Sequence, residues 1–314
     1  MDPVAVQGGD SPGEGGGRIP GLPGEPAFTL ARRHPSPIPV LIAVPHAGRS
    51  YPAALMQQMR DPELAALKLE DRYVDLLARA VSQQTGAGLL IAHAPRAMID
   101  LNRAPEDMDW EMLAGGGEHP RGSLRTGRRA RGGLGLVPRR LPGLGEIWRR
   151  PITQDELSDR ISGVHAPYHS ALAVEMAALK ARWGAALLID LHSMPPLGPK
   201  RGAQAAADIV IGDRFGSSCD GMLCAAAFDH LAAAGRRAAH NRPYAGGYVL
   251  DRHTAPARGF HGLQLEICRE IYLDRGLREP GAGFDPVVTL LGGLVRRLAS
   301  DFAGLGGVTR QAAE

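Results

Sequence analysis

The chain has 314 residues, 44% of them hydrophobic and 22% charged, with a formal net charge of +3. That length accommodates one large domain or two modest ones, and the apolar fraction suffices for a sizeable core, which excludes a fibrous or wholly disordered protein. The small charge excess gives no electrostatic footprint for nucleic acid, and no apolar run approaches the roughly 18 residues of a membrane span.

Residues 1–28 are rich in Gly, Pro and acidic residues and are expected to form a disordered tail. A single α/β domain is expected over 29–305, with a flexible end at 306–314. Ile38–Val44 (IPVLIAV) predicts a buried strand that ends in Pro45-His46. Leu67, Val74, Leu77 and Val81 recur at helical spacing and predict one helix over Glu63–Gln84. Leu89–Ala92 and Ala97–Leu101 are further strand candidates. Residues 114–150 carry many arginines and glycines and read as a long excursion from the core, either solvated or a basic rim that attracts an anionic substrate. A helix over Thr153–Arg182 opens with the capping pair Thr153 and Glu156 and is interrupted at Pro167. Strands are expected at Ala186–Leu191, Asp208–Ile211 and Leu263–Ile267, and helices at Cys219–Ala234 and Pro286–Phe302. Near-continuous apolar strands alternating with helices predict a sheet covered on both faces.

The cysteines are Cys219, Cys224 and Cys268, a sparse odd set that builds no disulfide framework. Together with the lack of a secretory leader pattern, they point to a reducing, cytoplasmic setting. Oligomeric state is left open.

Polar residues stand where the apolar strands end, which is where open α/β sheets bind ligands. His46 follows the first strand, Asp190 and His192 close ALLIDLH, and Asp100, Asn102 and Arg103 close AMIDLNR. Two histidines and a carboxylate around an open position make a catalytic zinc site. His46 and His192 are the best-placed histidines, and Glu70 or Asp71 offers the carboxylate. Each such histidine read singly is more often a satisfied structural residue, and no H-E-x-x-H is present. Glu266, flanked by Leu265 and Ile267, is a partly buried carboxylate, and its plain reading is an ion pair with Arg269 or Arg252. Gly246-Gly247 marks a turn ahead of Arg252 and His253. No G-x-S-x-G nucleophile elbow and no P-loop occurs.

Taken in order, VPHAGRSYP (44–52), EDRYVD (70–75), AMIDLNRAPED (97–107), GLGLVP (133–138), PYH (167–169), IDLHSMPP (189–196) and GGYVLDRH with GFHGLQLEICREIYLD (246–274) resemble the N-formylglutamate amidohydrolase (N-formylglutamate deformylase) family. The resemblance spans nearly all of residues 38–275. It implies a fold like the zinc carboxypeptidases (phosphorylase/hydrolase-like): three αβα layers around a mixed, mostly parallel sheet. It further implies a hydrolase that uses Zn2+-activated water to cleave N-formyl-L-glutamate into formate and L-glutamate, a reaction of histidine degradation. By that likeness His46, His192 and Asp71 are the metal ligands, with Glu70 as the alternative to Asp71, and Glu266 is the general base and proton shuttle. Asn102, Arg103, Arg252 and His253 would hold the small anionic substrate. The chain departs from the pattern after the second histidine. There the deformylases carry an arginine-containing segment resembling HSIRS, and this chain has His192-Ser193-Met194-Pro195-Pro196. Arg201 or an arginine of the long loop is a candidate replacement. Two other readings follow: a zinc deacylase or peptidase for another N-acyl amino acid or small peptide, and a non-catalytic anion- or RNA-binding protein on the same scaffold.

Overall fold

The computed structural model describes residues 13–115, 128–199, 202 and 205–311. In chain order its elements are β1 (Glu14–Gly16), β2 (Phe28–Ala31), β3 (Val40–Val44), α1 (Ala53–Gln58), α2 (Pro62–Leu69), α3 (Val74–Thr85), β4 (Gly88–Ala92) and α4 (Arg128–Arg131). There follow β5 (Arg140–Leu141), β6 (Gly145–Glu146), α5 (Gln154–Arg160), α6 (Ala166–Trp183), β7 (Ala186–Met194), β8 (Ile209–Gly212), α7 (Gly221–Ala233), β9 (Ala238–His240), α8 (Tyr248–His253), β10 (Phe260–Cys268) and α9 (Phe284–Gln311).

Eight strands form one sheet in the order β1-β2-β4-β3-β7-β10-β8-β9. The central run β4, β3, β7 and β10 is parallel, and β8 lies antiparallel beside β10. Every residue of β3 and β7 is buried, as a sheet covered on both faces demands. Successive side chains alternate between faces. Leu41, Ala43, Ala186 and Leu188 pack on one side against α1, α2, α5 and α6. Val40, Ile42, Leu187, Ile189, Leu263 and Leu265 pack on the other against α3, α7 and α9. The result is the expected three-layer αβα architecture with a mixed, mostly parallel sheet. No helix among the described residues is long and apolar enough to cross a membrane.

Five local expectations are corrected. The helix predicted over Glu63–Gln84 is two helices, α2 and α3, separated at residues 70–73. Nothing in the apolar spacing announces the break, because tertiary contacts make it: Asp71 N donates to His46 O, and the Arg269 guanidinium donates to the carbonyls of Leu67 and Glu70. Tyr73 starts α3 in the left-handed region, at φ 57°. Its ring is held beneath the Arg49 and Arg72 guanidiniums.

Ala97–Leu101 is not a strand but a turn, with Met98 N bonded to Pro95 O. Its apolar residues are buried in the same cluster as α6, and a short buried run has no period that separates strand from loop. The tail is shorter than expected: β1 pairs with β2, and Ile19 and Ala27 are buried. Residues 1–12 lie outside the described residues.

The excursion at 114–150 is no solvated rim over its second half. Leu136, Val137, Ile147 and Trp148 enter the core, and the β5–β6 hairpin closes on itself. Residues 116–127 lie outside the described residues. At the far end α9 runs to Gln311, past the expected limit at 305, while 312–314 lie outside. By contrast, α5 begins as read, with Thr153 and Glu156 forming a reciprocal capping box. Its helix passes through a π-helical turn at Ile161–His165 into α6, so Pro167, which has no N–H to give, directly follows the wider turn instead of ending the helix.

Leu188 is fully buried on the face that carries the polar strand ends. Leu188→Ala is expected to destabilise the protein by about 2–5 kcal/mol, read as a shift in urea midpoint with an unchanged slope.

Candidate active site

Alternation along β7 and β10 builds the floor of the site. Leu187, Ile189 and Leu191 face one helical layer, so Asp190 and His192 face the other. In the parallel neighbour β10 the same parity turns Gln264 and Glu266 to that side, and the register sets Gln264 beside Asp190 and Glu266 beside His192. His46 arrives two residues after β3, and Gly48 lets that turn touch the carbonyl of Ala94, an approach any Cβ would block. Asp71 comes from the α2–α3 break, its backbone tied to His46.

His46, Asp71 and His192 are all buried, and one donor atom from each lies within 4.8 Å of the others. Asp71 Oδ2 is 2.9 Å from His192 Nδ1 and 3.7 Å from His46 Nδ1. Tetrahedral coordination at bond lengths near 2.0 Å separates nitrogen and oxygen donors by about 3.3 Å, so the spacing fits one small divalent cation. The protonation state of His46 agrees. Burial and the nearby Arg96 hold His46 neutral, its pKa lowered to about 4. Burial alone would raise Asp100, but Arg96 and His46 bring it well below the ordinary carboxylate value. The ionised Asp100 Oδ1 therefore accepts the Nε2–H of His46 at 2.7 Å. The lone pair is left on Nδ1, which is buried with no hydrogen-bond partner among the described residues. That orphaned acceptor, aimed at Asp71, is what a cation would satisfy.

His192 is held by carboxylates on both sides, with Asp190 Oδ2 3.0 Å from Nε2. Burial disfavours its charge, yet Asp190 and Asp71 outweigh burial and raise its pKa well above 6.5. Asp71 is lowered to about 2, because the hydrogen bond and charge of His192, with His46 and Arg269, overcome its burial. Among the described residues Glu266 makes no salt bridge. Its Oε1 accepts from the Gln264 amide at 3.0 Å, and burial with Asp71 and Asp190 nearby raises its pKa to about 8.

These groups open into a cavity of about 300 Å3. Among the described residues its wall carries Lys68, Arg96, Arg103, Arg129 and Arg269 against two carboxylates, Asp71 and Glu266. Arg129 comes from the long loop, and Pro195 from the segment after His192.

The model of the N-formylglutamate amidohydrolase family matches residues 38–273. The chain belongs to the N-formylglutamate amidohydrolase family. It is 31% identical to the N-formylglutamate deformylase of Pseudomonas aeruginosa over 241 residues, covering 76% of this chain and 83% of that protein. The deformylase of Pseudomonas putida is 28% identical over 243 residues, covering 77% and 84%. The crystal structure of the N-formylglutamate amidohydrolase from Ralstonia eutropha JMP134 superposes with a TM-score of 0.77 at 31% identity, over 91% of this chain and 99% of that one. A protein of Agrobacterium tumefaciens shares the fold, with a TM-score of 0.63 at 19% identity over 88% and 95% of the two chains. By class this family member is an amide hydrolase.

Its fold brings together most of the residues singled out from the sequence. His46, Asp71, His192, Glu266, Asn102 and Arg103 line one cavity. Glu70 does not: its carboxylate turns back to Arg72, 3.0 Å away, so the acidic donor facing the histidines is Asp71. Arg252 and His253 are not in the cavity wall either. Arg252 bonds the Tyr248 hydroxyl at 2.6 Å on the surface. His253 is buried behind the site, 2.9 Å from His169. Arg201 lies outside the described residues. Glu266 pairs with neither Arg269 nor Arg252.

Asn102 is a hub. Its amide donates to Gln264, its oxygen accepts the Val249 N–H, and Gly247 packs so close that a Cβ there would lie 2.6 Å from Asn102 Oδ1. Sequence reasoning missed three supports: Arg96, which holds Asp100; Arg269, which braces Asp71; and the histidines behind Asn102. Arg269 lies within a quoted motif and Arg96 directly precedes another, but nothing local says which carboxylate an arginine reaches.

His165 and His169 engage the carbonyls of Arg103 and Leu101, and His253 stacks on His169. Burial lowers all three, His169 to about 2 and His253 to about 3. A histidine with a lowered folded pKa stays neutral in the fold while the unfolded chain takes up protons. Stability is therefore expected to fall as pH drops below the ordinary 6.5 and to be independent of these rings above it. Urea midpoints across that range test this, and His253→Gln is expected to flatten the slope.

Proposed function

We propose that this enzyme hydrolyses the amide of an N-acyl amino acid, N-formyl-L-glutamate to formate and L-glutamate, with Zn2+ as cofactor. The observation that carries the reading is the pairing, in one cavity, of a His-Asp-His cluster and an excess of basic side chains. The names of the Pseudomonas and Ralstonia relatives supply the substrate. A cavity of about 300 Å3 admits a molecule of that size.

His46 Nδ1, His192 Nδ1 and an oxygen of Asp71 would hold the metal. Bound there, Zn2+ supplies a Lewis acid for the acyl oxygen and lowers the pKa of water to about 7. Asp100 fixes the His46 imidazole through its other nitrogen, and the Asp190 carboxylate lies 3.0 Å from the other nitrogen of His192. Glu266, beside His192 and without a fixed cation, takes the proton of the attacking water and returns it to the leaving nitrogen. Its elevated affinity for protons suits a group that must accept one and release it. Arg103 and Arg129 face the cavity and offer the substrate's carboxylates charge-assisted hydrogen bonds. The three free cysteines accord with a cytoplasmic setting, and the reaction with histidine degradation.

A second reading is a different N-acyl amino acid or small peptide. Pro195 in the cavity wall favours it, because it stands in the segment where the deformylases carry an arginine.

The test is metal content together with formate release from N-formyl-L-glutamate before and after chelation. Zinc and chelator-sensitive formate release are expected. Zinc without formate release would move the second reading to the front, and neither zinc nor restored activity would sink the hydrolase mechanism. Glu266→Ala is expected to retain zinc while kcat falls about 10²–10⁴-fold. Asp100→Asn is expected to weaken zinc affinity about 10–100-fold by loosening His46, read by competition with a chelator. Arg129→Ala is expected to raise KM more than it lowers kcat, as loss of substrate binding alone requires.

A further inference from the structure

A second group of metal-type donors lies at the opposite edge of the sheet. Because β8 runs antiparallel to β10, the carboxyl ends of β8 and its parallel neighbour β9 point away from the cavity. Asp213 follows β8 directly, His240 closes β9, and Cys224 lies in the first turn of α7. Asp213 and Cys224 are buried, while the His240 side chain is 47% exposed.

One donor atom from each residue lies within 4.8 Å of the other two. His240 Nε2 is 3.0 Å from Asp213 Oδ2 and 3.6 Å from Cys224 Sγ. Tetrahedral zinc separates sulfur and nitrogen by about 3.5 Å and nitrogen and oxygen by about 3.3 Å. Both contacts use the same ring nitrogen. When neutral Nε2 donates to Asp213 it cannot also accept from Cys224, so the thiol too turns to Asp213 and one carboxylate serves both donors. A cation at their centre satisfies all three together.

The surroundings hold each donor in place. Asp213 Oδ1 accepts from Gly216 N and from the Asn241 amide, at 3.0 and 2.7 Å, which leaves Oδ2 for His240. The Asn241 oxygen in turn accepts Asp213 N at 3.0 Å. Phe228 packs edge-on against the His240 ring, with centroids 5.4 Å apart. Buried, hydrogen-bonded outer partners of this kind are what metal sites carry behind their ligands.

We propose that Asp213, Cys224 and His240 form a second divalent-metal site, of a thiolate-imidazole-carboxylate type that suits Zn2+ or Co2+ over Mg2+ or Ca2+. Three protein donors leave a coordination position open, and the exposed histidine places it at the protein surface. The metal would tie the edge strand β9 to β8 and α7. It does not depend on the hydrolytic reading of the cavity, whose donors include no sulfur.

That difference supplies the test. The full-length protein, stripped of metal, is titrated with Co2+ alone under reducing conditions, and the near-ultraviolet thiolate-to-cobalt charge-transfer absorption is followed. The band is expected to saturate at one equivalent per chain, to persist in His192→Ala, and to be lost in Cys224→Ser and in His240→Ala. His240 is exposed, so its variant keeps a folded reference, checked by circular dichroism. A wild-type protein with no band at saturating Co2+, or a band that survives in Cys224→Ser, overturns the proposal. Formate release measured on the same variants reports the cavity separately.

Discussion

Four carboxylates, Asp71, Asp100, Asp190 and Glu266, are buried around two histidines at one edge of the sheet. Each would cost several kcal/mol if left ionised without a partner. Much of the surrounding chain is arranged to meet that constraint. Asp100 has His46 and Arg96, and Asp71 has His192, with Arg269 nearby. Glu266 has only a neutral amide among the described residues, and burial raises its pKa to about 8. The same groups that make burial tolerable also choose which nitrogen of His46 is free to coordinate. Stability and chemistry are set by one network.

The network needs backbone supports that the helices and strands do not themselves provide. The α2–α3 break lifts Asp71 into the site, and Arg269 from the end of β10 holds it open through two carbonyls and Ser193. The turn carrying Asp100, Asn102 and Arg103 is backed by the long loop, where Asp100 N donates to Leu136 O and Arg103 Nε to Leu134 O. Behind that turn the neutral histidines 165, 169 and 253 bind or pack on its other side. A segment that reads as a decorated surface loop is thus half brace and half cavity wall.

Legibility varied with the range of the interaction. Strands β3, β4, β7, β8 and β10 were readable because burial on both faces writes continuous apolar runs, and the Thr153–Glu156 cap because its contacts are local. Polar residues at strand ends pointed to His46, His192 and Glu266, since the sheet's own geometry gathers strand ends. Ala97–Leu101 was misread because a buried turn and a buried strand share a composition. The Glu63–Gln84 helix is overextended in the sequence reading because its break is imposed from 199 residues away, by Arg269 on Glu70. The family resemblance puts Arg252 and His253 on the substrate, yet α8 turns one to solvent and the other to the core.

By itself the sequence determined the layered class, the family, and the inventory of metal-type donors, because these follow from composition, order and motif. Only the tertiary structure shows which of Glu70 and Asp71 faces the histidines. The two are adjacent in the chain, and only the path of the α2–α3 break turns one carboxylate to Arg72 and the other to His192. It likewise decided which arginines reach the cavity and brought Asp213, Cys224 and His240 together on the far edge. Distances across the fold depend on how elements pack, and no local pattern of residue types encodes them.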